Sequence, residues 1–316
     1  MMIASAFFWG SWANSYKGVK NYRFELFYWD YAVGIFLISL VLALTMGSTG
    51  NDANSFLNNV RSADNANIGY TMLAGAVFNL ANLLLVAAMD MVGMSIAFPV
   101  GIGIALVVGV VTSFVQQPKG DVKLLAAGVA CALIAVVMDG KAYGNLVSGG
   151  REIPKKGIVV SVIAGVLMGL WAPGVTRAMT SGNTLGPYSI AVFLTLGALL
   201  SCLVWNVYFM KRPLIGEPVN FADFFRGPAS GHALGLLGGA CWGLGMVFNL
   251  VAASAPSVKS VAVSYAIGQS SPMVAALWGV FVWKEFAGAN NKAKGYLFLM
   301  FVFYCVAIFF VAKANG

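Results

Sequence analysis

Apolar residues run along this chain in long blocks rather than in the short periodic stripes of a water-soluble fold. Ten blocks, at 1–16, 26–46, 68–89, 94–115, 122–139, 157–176, 187–209, 233–253, 260–283 and 295–312, alternate with polar connections. At 1.5 Å per residue, about 20 such residues cross the hydrocarbon of a bilayer, so the pattern predicts an all-α integral membrane protein of ten transmembrane helices. The first block is short and no charged region precedes it. It reads as a chain that starts slightly late in its first helix rather than as a cleaved signal peptide.

Five helices in each half would place two similar halves in opposite orientations, an inverted repeat. Short matches fall in order in corresponding blocks. Gly10-Ser11-Trp12-Ala13 matches Gly169-Leu170-Trp171-Ala172, Gly75-Ala76 matches Gly239-Ala240, Val86-Ala87-Ala88 matches Val251-Ala252-Ala253, and Gly109-Val110 matches Gly279-Val280. The expected organisation is an N-terminal half at 1–139, a short cytoplasmic connection at 140–156 and a C-terminal half at 157–316. The connection at 47–67, rich in Asn, Ser, Gly and Asp, reads as an external loop with an amphipathic turn around Phe56 and Leu57.

Composition sharpens this picture. The chain of 316 residues is 59% hydrophobic and 9% charged, too apolar for an aqueous surface. Its net charge of +8 would suggest nucleic acid in a soluble protein. Here 13 of the 19 Lys and Arg fall in connections on one side of the predicted bundle, and the other 6, counting Lys123 at a block end and Lys313 after the last block, fall on the opposite side. The positive-inside rule then puts both termini outside the cytoplasm, in a cell (inner) membrane, with the lipid bilayer and no nucleic acid as partner. Cys131, Cys202, Cys241 and Cys305 lie in apolar blocks without metal or redox spacing and read as small buried hydrophobes. The sequence holds no G-x-S-x-G, H-E-x-x-H or G-x-x-x-x-G-K-[ST], so neither an enzyme nor a cofactor or metal site is expected.

Polar residues at membrane depth mark candidate solute sites, because a solute stripped of water needs replacement hydrogen bonds. Asn79 and Asn82 lie three apart, on one helix face, with the paired donors and acceptors that suit an uncharged polar ligand; helix-to-helix hydrogen bonding is the competing role. Pro99, Gly101 and Gly103 predict a kinked or locally open helix, and Pro272 after Gln269-Ser270-Ser271 predicts a matching break in the other half. Trp12, Trp171 and Trp242 read as deep aromatic walls, with Asn249, Tyr265, Gln269 and Ser270 beside them. Trp29, Trp205 and Trp283 read as interfacial anchors.

Of the charges in the blocks, Lys123 and Asp139 sit at block ends where a side chain reaches water, which leaves Asp30 as the one clearly inside. Asp30 and Glu25 are therefore the proton-coupling candidates, and a salt bridge from Asp30 to Arg23 or a loop cation is the competing role. If Asp30 couples protons, Asp30→Asn abolishes gradient-driven uptake and spares exchange. The scarcity of membrane charge points to a neutral cargo. The only histidine, His232, is expected at the interface.

Two long runs, Phe8-Trp9-Gly10-Ser11-Trp12-Ala13-Asn14 and Arg23-Phe24-Glu25-Leu26-Phe27-Tyr28-Trp29-Asp30-Tyr31, resemble the ureide permease family of the drug/metabolite transporter superfamily, in a compact, bacterial-type form. The likeness continues in Phe78-Asn79-Leu80-Ala81-Asn82, in Ala97-Phe98-Pro99-Val100-Gly101-Ile102-Gly103 and in Gly279-Val280-Phe281-Val282-Trp283-Lys284-Glu285. The resemblance implies ten helices in two inverted five-helix repeats and uptake of small polar solutes, ureides or nucleobases, by symport with protons. Related bacterial families carry glucose or rhamnose, which keeps a sugar permease open as an alternative. Plant members have a long central loop with a Walker-like motif, and here that loop is short and lacks it. An exporter of amphipathic metabolites would favour a more apolar cavity, and a membrane scaffold or sensor would lack paired helix breaks with buried amides.

Overall fold

The computed structural model describes residues 1–19, 22–49, 55–146, 154–258 and 260–315, with the backbone alone at 94–96, 99 and 315. Every expected apolar block falls on helix. In chain order, α1 (Met2–Ser11) and α2 (Ala13–Lys17) meet at Trp12, and α3 (Phe24–Leu44) fills the second block. The expected amphipathic turn is α4 (Phe56–Ser62), with Phe56 buried and Leu57 exposed. The tip of that connection, 50–54, lies outside the described residues, as do 147–153 of the central connection. Three long helices, α5 (Asn65–Val92), α6 (Met94–Gln116) and α7 (Val122–Gly144), complete the first half.

The second half opens with α8 (Lys155–Thr180). Helices α9 (Pro187–Ser201) and α10 (Trp205–Lys211) share one block, and α11 (Phe221–Phe225) lies in the next connection. Then come α12 (Ala229–Ala253), α13 (Val261–Gly268), α14 (Ser271–Phe281) and α15 (Asn291–Asn315). Among the described residues seven helical stretches are long and apolar enough to cross a membrane, and no strand is present. Large apolar side chains such as Leu237, Phe298 and Phe309 point outward, which only a lipid surround makes favourable.

Glycines set the helix contacts. A Cβ on Gly75 of α5 would strike the Leu194 carbonyl of α9, and one on Gly197 of α9 would strike the Met72 carbonyl of α5. The same reciprocal arrangement joins α12 to α3, where Gly239 meets the Tyr31 carbonyl and Gly34 the Leu236 carbonyl. Gly169 of α8 rests on Ala105 and Val108 of α6, and Gly10 of α1 rests on Ser271 and Val274 of α14. Small residues at such crossings let backbones approach closely in a bilayer, where hydrophobicity alone does not drive helices together.

The two expected helix interruptions differ in outcome. Residues 99–103 lie within one unbroken helix, α6. Gly101 and Gly103 serve packing there: a Cβ on Gly101 would meet Leu85, one on Gly103 would approach Val136, and the Gly101 carbonyl lies against Gly165 of α8. In the second half the chain does divide. α13 ends at Gly268, Gln269 and Ser270 form a turn in which the Ser270 N–H donates to the Ile267 carbonyl at 3.0 Å, and α14 restarts with Pro272 in its first turn, where a missing N–H costs nothing. A second correction concerns Asp139. Because α7 continues to Gly144, this carboxylate is more than a turn inside the helix and is buried, rather than reaching water at a block end.

Candidate functional site

Five of the expected site residues meet in one place. Trp12 of the α1–α2 junction, Asn82 of α5, Trp171 of α8, Trp242 of α12 and Gln269 of the α13–α14 turn line a central cavity of about 40 Å³, together with Trp9, Phe98 and Ser271. The indoles are held by rings behind them. Trp242 stacks with Phe78 at 4.3 Å and with Trp9 at 5.8 Å, Trp12 packs on Tyr31 at 5.0 Å, and Trp171 meets Tyr265 edge-on at 5.7 Å. Two amides supply the polarity. Asn82 reaches the Tyr28 hydroxyl over a long 3.4 Å, and no hydrogen bond engages the Gln269 side chain among the described residues. The result is a flat-walled aromatic cage with spare amide donors and acceptors, suited to a planar, neutral, polar molecule.

The remaining candidates have other occupations. Asn79 donates to the Ser201 hydroxyl at 2.8 Å, tying α5 to α9. Asn249 and Ser264 bond each other's backbone carbonyls, both at 2.9 Å, and fix α13 on α12. The Tyr265 hydroxyl donates to the Ala105 carbonyl at 3.1 Å while its ring lies against Gly109. Ser270 borders a separate small void beside α7 and α15. Trp9, three residues before Trp12, and Ser271, within the expected break before Pro272, complete the cage lining.

The two expected coupling carboxylates are engaged away from the cage. Asp30 Oδ2 lies 2.7 Å from His232 Nδ1, which makes His232 a partner of α3. Tyr22, outside the membrane helices, packs on the same His232 ring, and burial together with the Asp30 charge pushes its phenol well above the usual range. Glu25 forms a two-pronged ion pair with Arg23, which also donates to the Ile215 and Glu217 carbonyls.

Next to the cage, and sharing Phe98 with it, is a larger chamber of about 260 Å³. Asn14, Lys17, Asp139, Tyr143, Trp283 and Glu285 supply its polar lining. Lys17 pairs with Glu285 across the chamber mouth and sits over the Trp283 ring, and the Trp283 indole donates to Asn14 Oδ1 at 2.6 Å. Trp283, expected as a lipid-interface anchor, is thus part of a closure between α2 and the end of α14. At the opposite end of the bundle a third cavity, of about 560 Å³, is bordered by Asn59, Gln117, Lys119 and Thr184. The Tyr265–Ala105 bond and a Thr176–Ser113 bond at 3.2 Å tie α13 and α8 to α6 between that cavity and the cage.

Known proteins resemble this chain in sequence, and a solved structure resembles it in fold. Residues 27–146 match the sequence profile of the family described as Ureide permease. Ureide permease 1 of Arabidopsis thaliana is 21% identical over 350 aligned positions, covering 92% of this chain and 89% of the relative. Ureide permease 2 of the same plant is 22% identical with the same coverage. Probable ureide permease A3 of Vigna unguiculata is 30% identical over 115 positions, covering 35% of this chain and 31% of its own. One solved protein structure superposes with a TM-score of 0.60 at 16% identity, covering all of this chain and 97% of that one, a likeness of fold. The relatives are permeases, transporters rather than enzymes, and this chain is a multi-pass membrane transporter.

Proposed function

We propose that the chain carries a small neutral ureide-type solute across the cell (inner) membrane by alternating access, with the aromatic cage as its binding site. The observation that carries this reading is that one cavity is lined by four indoles together with two under-used amides, Asn82 and Gln269. A ureide presents alternating N–H and C=O groups on a flat frame. Amides match both kinds of group, and indoles cover the faces. A nucleobase would use the same surfaces, and a sugar would offer its C–H face to the indoles.

Ten membrane helices in two inverted halves, 1–139 and 157–316, fit the contacts. Exchanging each helix for its counterpart in the other half turns the Gly75/Gly197 crossing of α5 and α9 into the Gly239/Gly34 crossing of α12 and α3. The same exchange turns the seat of Gly169 on α6 into the seat of Gly10 on α14. Trp12 and Trp171, related by that repeat, both line the cage. At about 40 Å³ the cage has room for a few waters at most, so a solute enters only as the halves rock apart. The positive-inside count puts the Lys17–Glu285 mouth on the cytoplasmic side and both termini outside.

A thermal-shift panel of ureides, nucleobases, sugars and cationic drugs on the purified protein, followed by counterflow in proteoliposomes, tests the proposal. Stabilisation and counterflow by ureides are expected. Stabilisation by sugars or cationic drugs alone overturns the ureide assignment, and no counterflow with any compound overturns transport.

A further inference from the structure

We infer that Asp139 is the carboxylate through which this transport is coupled to a proton. The inference rests on the transport reading above and names a residue for the coupling step, in a different place from the carboxylates that sequence depth suggests.

Asp139 is 5% exposed, and its Oδ1 is buried with no hydrogen-bond partner among the described residues. Among the described residues, the groups facing it offer no compensating cation. On its own helix Tyr143 points with Glu285 toward Gly279, and from α15 the Tyr304 hydroxyl, also buried and unpartnered, is within electrostatic reach. Glu285, after α14, adds a like charge, and Lys17 of α2 is taken up by Glu285. The other walls of the chamber, Gly10 and Ala13 of α1 and the α2 junction and Phe98 of α6, carry no titratable group. A bare carboxylate is poorly tolerated in such a place.

Oδ1 is closed to a water-sized probe, and a proton needs no room there. The step is the formation and breakage of one O–H bond on Asp139: a proton taken from the aqueous phase on one side is returned to the aqueous phase on the other. The position suits coupling. Asp139 lines the chamber that adjoins the cage at Phe98 and whose mouth is tied by Lys17–Glu285, so its access to water changes with any movement of that mouth. Asp30 and Glu25 already have His232 and Arg23 as partners.

The test uses the full-length protein in proteoliposomes with a ureide that stabilises it. At one proton per solute, a one-unit pH gradient supports about tenfold accumulation. The wild type should approach that ratio, Asp139→Asn should lose accumulation and keep counterflow, and Asp139→Glu should restore some accumulation. A second readout is the proton uptake or release that accompanies ureide binding in weakly buffered detergent solution, expected in the wild type and absent in Asp139→Asn. Wild-type accumulation by Asp139→Asn overturns the proposal. So does loss of counterflow in both Asp139→Asn and Asp139→Glu, which would make the residue part of the fold or of solute binding. Wild-type counterflow that ignores the pH gradient overturns the coupling and leaves the transport reading standing. Absence of wild-type counterflow removes that reading itself.

Discussion

Asp30 of α3 and His232 of α12, 202 residues apart in sequence, are joined by a contact of 2.7 Å at one end of a glycine-lined helix crossing. Beneath the pair, Gly34, Gly239 and Gly235 bring the two backbones close enough that any side chain would collide, Gly235 with Asp30 itself. The His232 ring is packed edge-on by Tyr22 and Phe224. An ionisable group in a membrane helix draws a functional reading by default, but this one has the position and partner of a structural clasp.

The clasp predicts stability effects without loss of transport. Removing one partner leaves a mostly buried polar group unsatisfied, a cost of about 1–3 kcal/mol. Asp30→Asn and His232→Ala should each lower the melting temperature, and the double variant should be less destabilised than the sum of the two. Gradient-driven accumulation by Asp30→Asn should match the wild type per folded molecule. Strictly additive melting shifts, or lost accumulation with normal melting, would contradict this account.

Asn79 and Asn82 should part company on substitution. Both lie on α5, yet three residues along a helix leave two side chains about 60° apart. Asn79 points to Ser201 of α9 and Asn82 to the cage. Losing one hydrogen bond to an uncharged solute costs about 0.5–1.5 kcal/mol, roughly a twofold to twelvefold rise in Kd. Asn82→Ala and Gln269→Ala should show that rise by equilibrium binding, with normal folded yield. Asn79→Ala should instead lower the melting temperature and leave Kd close to the wild type.

That divergence shows what the sequence could and could not convey. Block length reports depth in the membrane, which is why all ten expected blocks fall on helix and why Trp12, Asn82, Trp171, Trp242 and Gln269 converge. It does not report which neighbour a side chain faces. Asn249 and Tyr265 have the right depth and bond neighbouring helices. The apolar run ends at Asp139, which by itself points to a carboxylate in water, although helix hydrogen bonding carries α7 on to Gly144. Gly101 and Gly103 illustrate a second ambiguity, since glycine permits both an open helix and a tight crossing, and only the partner helix decides between them.

The crossings themselves can be tested with single methyl groups. Gly69 of α5 faces open space, so Gly69→Ala should be neutral or raise stability by up to about 1 kcal/mol through helix propensity. Gly239→Ala and Gly75→Ala must each push a backbone carbonyl away, with an overpacking cost of about 1–3 kcal/mol. Thermal unfolding in one detergent should rank Gly69→Ala above the wild type or level with it, and both crossing variants below. A Gly239→Ala protein as stable as the wild type would mean that α3 and α12 do not approach as described.

The final prediction concerns the chamber mouth, where Lys17 and Glu285 connect α2 to the segment after α14. Their side chains are 35% and 28% exposed, so solvent and salt screen the pair and its contribution to stability is small, about 0–1 kcal/mol. Its effect on transport is argued differently. A pair that must break and re-form as the mouth opens and closes alters the balance between two conformations, and even a small bias changes how often each is visited. Lys17→Glu places two acidic groups together and Glu285→Lys two basic ones, so each should favour the open mouth and slow counterflow while changing the melting temperature little. The exchanged pair, Lys17→Glu with Glu285→Lys, restores attraction in the opposite sense and should recover much of the lost rate. The single reversals should also be rescued in part by high salt on the side of the mouth, because screening weakens repulsion between exposed charges. Counterflow rates for the four proteins at low and high salt provide the check. If the exchanged pair is as slow as the single reversals at both salt concentrations, the contact is incidental to the transport cycle.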